Sequence, residues 1–145
     1  MHFKLFFLSL LFILGCSENN IQKTINFPFQ NIRVSILSKY RLKKIGLQLQ
    51  NSRIFINRST FTSKMALWQI SIKEKRLFVQ SNHYSAYTSE ISLSSDKKIA
   101  ILFHYNNKTY KRSYVGSLDV RIDTNRLLIV NTTPVEYYVQ AAAVG

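Results

Sequence analysis

Between residues 31 and 130 the apolar stretches are short, and each is cut by Asn, Ser, Lys or Asp before a helix could complete its turns. That rhythm constrains the chain more than any other feature. Runs rich in β-branched and aromatic residues at 32–37, 45–50, 53–57, 67–72, 77–80, 89–94 and 99–105 read as strands. Turn chemistry separates several of them, at Gln50-Asn51-Ser52, Lys73-Glu74-Lys75, Ser94-Ser95-Asp96 and Asn106-Asn107. Further on, Leu118, Val120 and Ile122 alternate with Asp119, Arg121 and Asp123, which predicts a half-buried strand with one wet face. Asp123-Thr124-Asn125 is a turn, and residues 127–130 are apolar on both faces, so the two strands form a hairpin. Strands this short and this dense predict a mainly β body of antiparallel hairpins, sandwich or barrel-like. With 4 glycines and 2 prolines the chain has no flexible linker, so residues 31–145 are expected to form one domain.

The pattern changes at the end. Thr133-Pro134-Val135-Glu136 places a hydroxyl at an N-cap, proline at the first helical position and glutamate three residues after the cap. One helix is expected to start there.

The beginning of the chain has a different character. His2 and Lys4 precede an apolar run over residues 5–14, too short for the ~20 residues of a bilayer span but suited to the core of a secretory signal. Ile13-Leu14-Gly15-Cys16 then resembles a bacterial lipobox, with the only cysteine of the chain as the lipidated residue. Residues 1–15 are therefore expected to be a lipoprotein signal peptide. Residues 16–30, polar from Ser17 to Thr24, would be the lipidated cysteine and its tether. Acyl chains contribute about 0.8 kcal/mol per buried CH₂, enough in combination to hold a domain on a membrane. The expected location is the cell envelope, anchored and facing the periplasm or exterior.

Lysine and arginine number 20 against 7 acidic residues, and the signal removes only Lys4 among them. Such a surface favours polyanions. Export argues against nucleic acid and leaves acidic lipids and wall carboxylates, while an AT-rich genome accounts equally well for the lysines and asparagines.

A strand carrying Tyr114-Val115-Gly116-Ser117-Leu118, a second ending in Val130-Asn131, and a helix opening Val135-Glu136-Tyr137-Tyr138-Val139 together resemble the stage II sporulation protein D family, the SpoIID/LytB or amidase-enhancer domain. The resemblance is closest over residues 114–145, and Ile32-Arg33-Val34-Ser35-Ile36 is similar to the family's opening strand. It implies the N-terminal portion of an α+β domain. It also implies peptidoglycan glycan strands as partner and, among amidase enhancers, a cell-wall amidase. Some members resemble lytic transglycosylases whose essential glutamate lies on this helix in a Val-Val-x-x-Glu-Met segment. Laid on that pattern, Ala142 and Ala143 stand at the valines and the glutamate falls on the position after Gly145. Gly116, Asn131, Glu136 and Tyr138 are the structural residues of the motif.

Within the chain, no catalytic residue is assigned. Glu136 matches the first glutamate of the family helix, and capping is its expected role. Asp119 and Asp123 are expected to be solvated strand-face charges. His83 and His104 show no metal-ligand spacing, so no metal and no cofactor are expected. Among the aromatics, which include Trp68, Tyr84, Tyr87 and Tyr137, the trio Tyr105, Tyr110 and Tyr114 stands beside Lys108, Lys111 and Arg112. These could form a glycan-binding strip, or their rings could fill the core. Three readings of function follow: a glycan-strand lytic transglycosylase if the gene continues past residue 145, a non-catalytic wall- or partner-binding lipoprotein, or a gene remnant that does not fold.

Overall fold

The computed structural model describes residues 30–143. Ten antiparallel strands and one helix make up this part: β1 (Asn31–Ile36), β2 (Lys44–Ile56), β3 (Ser59–Lys73), β4 (Arg76–Gln80), β5 (Ser85–Thr88), β6 (Glu90–Ser95), β7 (Ile99–Tyr105), β8 (Lys108–Tyr114), β9 (Ser117–Asp123), β10 (Arg126–Pro134) and α1 (Val135–Ala143), with a single 3₁₀ turn at Ser38–Tyr40. The mainly β expectation holds. Cys16 and the rest of the expected anchor and tether, apart from Gln30, lie outside the described residues.

The organising element is the long hairpin of β2 and β3. Its far edge, β3, carries β4 and then β5. The near edge of β2 is shared, because Gly46–Gln48 pair with β7 while Ser52–Phe55 pair with β6. From β6 the sheet continues through β9 and β10 to β1, and from β7 it continues to β8. Between the two partners of β2, Ser95 Oγ donates to the Gln50 carbonyl at 2.7 Å and bridges the gap.

At that level the hairpin changes phase. Ile45, Leu47 and Leu49 are buried in the first half of β2, but Ile54 and Ile56 in the second. Asn51 makes the switch with a left-handed backbone, φ 43, while the pairing with β3 keeps one register on both sides of it. The expected turn at Gln50-Asn51-Ser52 is therefore a kink within one strand. Asparagine tolerates the left-handed region, and the paired neighbours hold the chain extended around it.

Two-residue turns close the β2–β3, β3–β4, β7–β8 and β9–β10 hairpins, at Asn57-Arg58, Glu74-Lys75, Asn106-Asn107 and Thr124-Asn125, with positive φ at both residues of each. Positive φ at both positions is the type I′ geometry, whose twist matches that of the strands. β5 and β8 were not anticipated. In β8 only Tyr110 and Tyr114 are even half-buried, four residues apart, so no alternation marks the strand.

Folded over, the sheet brings β10 against β3 and β4 against β9. The enclosed core takes Leu47, Leu49, Ile70, Val79, Ile91, Ile101, Phe103, Leu118 and Val120, all essentially inaccessible. The helix begins later than its capping pattern predicts. Thr133 and Pro134 belong to β10, paired with Ile32 and Asn31. Ladder pairing along β1 holds Thr133 extended and buried, so the hydroxyl is not at the helix start, and the Val135 amide donates instead to the Gln30 carbonyl at 3.0 Å. Among the described residues no helix is long and apolar enough to cross a membrane.

Candidate functional site

The expected aromatic strip is built by β7 and β8. Their register sets Tyr105 opposite Lys108, Phe103 opposite Tyr110, Ile101 opposite Arg112 and Ile99 opposite Tyr114. Directly opposed residues share a face. Tyr105, Tyr110, Arg112 and Tyr114 thus lie on one side of the ribbon. Lys111 lies on the other, where its Nζ donates to Gln48 Oε1 at 2.9 Å. Lys111 is accordingly not part of the strip.

A tyrosine from elsewhere completes it. The 3₁₀ turn is bent sharply at both ends, with Leu37 at φ 58 and Arg41 at φ 49, and it presents Tyr40 to the ribbon. Tyr40 lies 4.8 Å from the Phe103 ring, 5.0 Å from Tyr105 and 6.2 Å from Tyr110, while Phe103 and Tyr110 stack at 5.4 Å with planes 16° apart. Tyr110 is consumed in this cluster, as the core-filling alternative foresaw. Tyr105 sits at its rim.

Beside the cluster opens a hollow of about 470 Å³ lined by Leu37, Ser38, Lys39, Tyr40, Arg112, Ser113 and Tyr114. Lys39 Nζ stands 5.0 Å from the Tyr40 ring centre. Burial raises the Tyr114 phenol above its ordinary 10.0, partly offset by the nearby Arg112. Tyr114 is thus a neutral hydrogen-bond donor at physiological pH, next to fixed positive charge. No carboxylate lines the hollow, so it can bind an anion or a polar ring but has no acid of its own to protonate a glycosidic oxygen.

The motif residues lie just behind. Gly116 has φ +99, and a Cβ there would stand 2.0 Å from the Thr132 carbonyl oxygen. Buried Asn131 donates through Nδ2 to the carbonyls of Val115 and Ser117, each at 3.0 Å. Gly116 and Asn131 together fasten the entry of β9 onto β10, which fixes the chain leaving Tyr114. Glu136 and Tyr138 do not join them. Both are exposed on α1, Glu136 in its first turn.

The remaining candidates have structural partners. Asp119 accepts from Arg33 Nη2 at 3.1 Å and from Ser92 Oγ at 2.6 Å. Asp123 accepts from Arg126 and Thr124, and these bonds, with Arg126 foremost, hold its carboxyl below the ordinary 3.8. Among the described residues no three of His, Cys, Asp and Glu converge to hold a metal.

A second hollow, of about 660 Å³, was not anticipated. It lies between the kinked part of β3 and the loop from β4 to β5, around Phe61, Trp68 and Tyr84. In a regular strand Phe61 and Trp68, an odd number of residues apart, would face opposite sides. The phase change near Lys64 and Met65 brings both inward, and only knowledge of that kink could have revealed the site.

No protein-family model, no curated protein and no solved structure matches the chain.

Proposed function

We propose that this chain is a lipid-anchored cell-envelope protein that binds peptidoglycan glycan strands, built on the N-terminal body of a SpoIID-like domain. One observation carries the reading: the hollow brings Tyr40 and Tyr114 together with Lys39 and Arg112, without any carboxylate. Glycan strands stripped of stem peptides offer sugar rings and the free lactyl carboxylates of their muramic acid residues. A ring stacks on tyrosine, and the carboxylate takes the guanidinium of Arg112 in a charge-assisted bond. The basic surface supplies the long-range attraction that brings such a polymer in.

In this reading the described residues bind and orient the strand. Glu136 is exposed in the first turn of α1 and does not line the hollow, so no acid role is assigned to it.

Sedimentation with isolated sacculi tests the proposal. The mature chain is expected to co-sediment at low salt and to be released as salt rises, since exposed charges are screened over about 10 Å at 0.1 M. A chain that stays in the supernatant at low salt sinks the reading.

A further inference from the structure

The hollow around Phe61, Trp68 and Tyr84 has chemistry unlike the one at Tyr40. We infer that it is a second saccharide site, selective for a neutral N-acetylated pyranose. The inference relies on the reading above for the identity of the polymer, but the chemistry of the hollow carries it.

One wall is aromatic. Phe61 and Tyr84 lie 4.4 Å apart between ring centres, Phe61 and Trp68 5.8 Å, and Trp68 and Tyr84 6.0 Å. Met65 and Leu67 extend this wall to solvent and are about two-thirds exposed, at 67% and 65%. The rest of the lining is polar and uncharged, contributed by Ser52, Thr62, Ser63, Ser81, Asn82 and His83, with the Ser63 hydroxyl donating to the Met65 carbonyl at 2.8 Å. The Ser81 amide donates to the Tyr84 carbonyl at 2.8 Å, so the loop carrying Asn82 and His83 is closed into a turn.

That composition discriminates between ligand classes. A charged ligand would lose its hydration and find no counter-charge in the lining. A purely apolar ligand would strip water from these polar groups without replacing their hydrogen bonds. A neutral pyranose avoids both losses, because its C–H faces lie on the rings while its hydroxyls and acetamido group meet the polar side. The volume of about 660 Å³ suits a small-molecule site, which typically spans roughly 300–1,000 Å³.

Trp68 is the only tryptophan of the chain, so its fluorescence reports on this hollow alone. Titration of the mature chain with chitotetraose is expected to give a saturable change in emission, with a dissociation constant of roughly 1 mM or tighter. The change should persist at high salt and in Arg112→Gln. It should weaken about tenfold in Tyr84→Ala, a loss of about 1.4 kcal/mol, and also in the exposed-loop pair Asn82→Ala/His83→Ala, which leaves the core intact. No emission change with chitotetraose overturns the inference, as does a response to hexanol with none to chitotetraose. Because this response does not depend on salt, it separates from the sacculus result. Lost sedimentation with a retained Trp68 response removes the wall-glycan reading and leaves a neutral saccharide site, and the reverse removes the neutral site.

Discussion

Gly116 and Asn131 show how a short motif acts through the backbone. The glycine has φ +99 with the Thr132 carbonyl oxygen 2.0 Å from where a Cβ would stand, and the asparagine amide bridges the carbonyls on either side of it. Gly116→Ala must both adopt a disfavoured conformation and displace backbone. It is expected to lower unfolding free energy by at least about 2 kcal/mol, read as a shift in urea midpoint at constant slope. Asn131→Ala should cost about 1–3 kcal/mol for the carbonyls it leaves unpaired. A change within about 0.5 kcal/mol, ordinary for a surface site, would show that this fastening is not structural. Glycine at 116 was legible as a structural residue, since a glycine at a strand end permits a bulge or a close backbone approach. The role of Asn131 was not, because it depends on the β9–β10 register. Tyr114 gives a pH signature. Burial lifts its phenol above 10.0, so over alkaline pH the folded chain keeps a proton that the unfolded chain has released. Stability is therefore unaffected by this group below pH 10 and falls as pH rises through the raised value. Thermal unfolding followed from pH 9 upward should show a shallower decline in Tyr114→Phe than in the parent chain, and equal slopes would argue against a buried phenol.

At the level of elements, strands that obey alternation were readable and those that do not were missed. β7 was delimited as found, and the β9–β10 hairpin was placed from the alternation at 118–123, the Asp123-Thr124-Asn125 turn and the apolar run at 127–130; in the fold Leu118, Val120, Leu127 and Ile129 are the buried ones. β8, at a sheet edge with Lys108, Lys111 and Arg112 exposed, carries charge that guards an unpaired edge and hides its period. The first half of β3 was overlooked for a related reason, since Ser59, Thr60, Thr62 and Lys64 are solvated and the phase changes just beyond them. Capping chemistry at Thr133 was legible but lost to the ladder with β1, where a local preference worth about 1 kcal/mol competes with paired backbone. The turns offer a test. Glu74-Lys75 adopts positive φ at both residues with side chains poorly suited to it. Replacing the pair by Asn-Gly is expected to stabilise the chain by about 1 kcal/mol, seen as a raised thermal midpoint. A lowered midpoint would mean that the turn is not of type I′.

For the molecule as a whole, the long kinked hairpin decides where the two hollows arise. By dividing one edge of β2 between β6 and β7 it leaves the β7–β8 ribbon free to pack on Tyr40, and by changing phase it opens the hollow at Trp68. The first holds cations and no carboxylate, and the second holds neither. A strand alternating carboxylated and uncharged N-acetylated sugars matches both chemistries, which is why wall glycan is the reading favoured over acidic lipid. Composition alone carried the expectation of an affinity for anions, beside an AT-rich genome as an equal account of the charge. It could not carry the pairing of two unlike hollows, which needs residues as distant as Tyr40 and Arg112, or Phe61 and Tyr84, to meet. The most direct measurement is calorimetric titration of the mature chain with denuded glycan strands and with the same strands after amidation of their lactyl carboxylates. Tighter binding of the native strands by about tenfold, or about 1.4 kcal/mol, with the difference abolished in Arg112→Gln, is the predicted result. Equal affinity for native and amidated strands, or a preference that survives Arg112→Gln, would contradict the account.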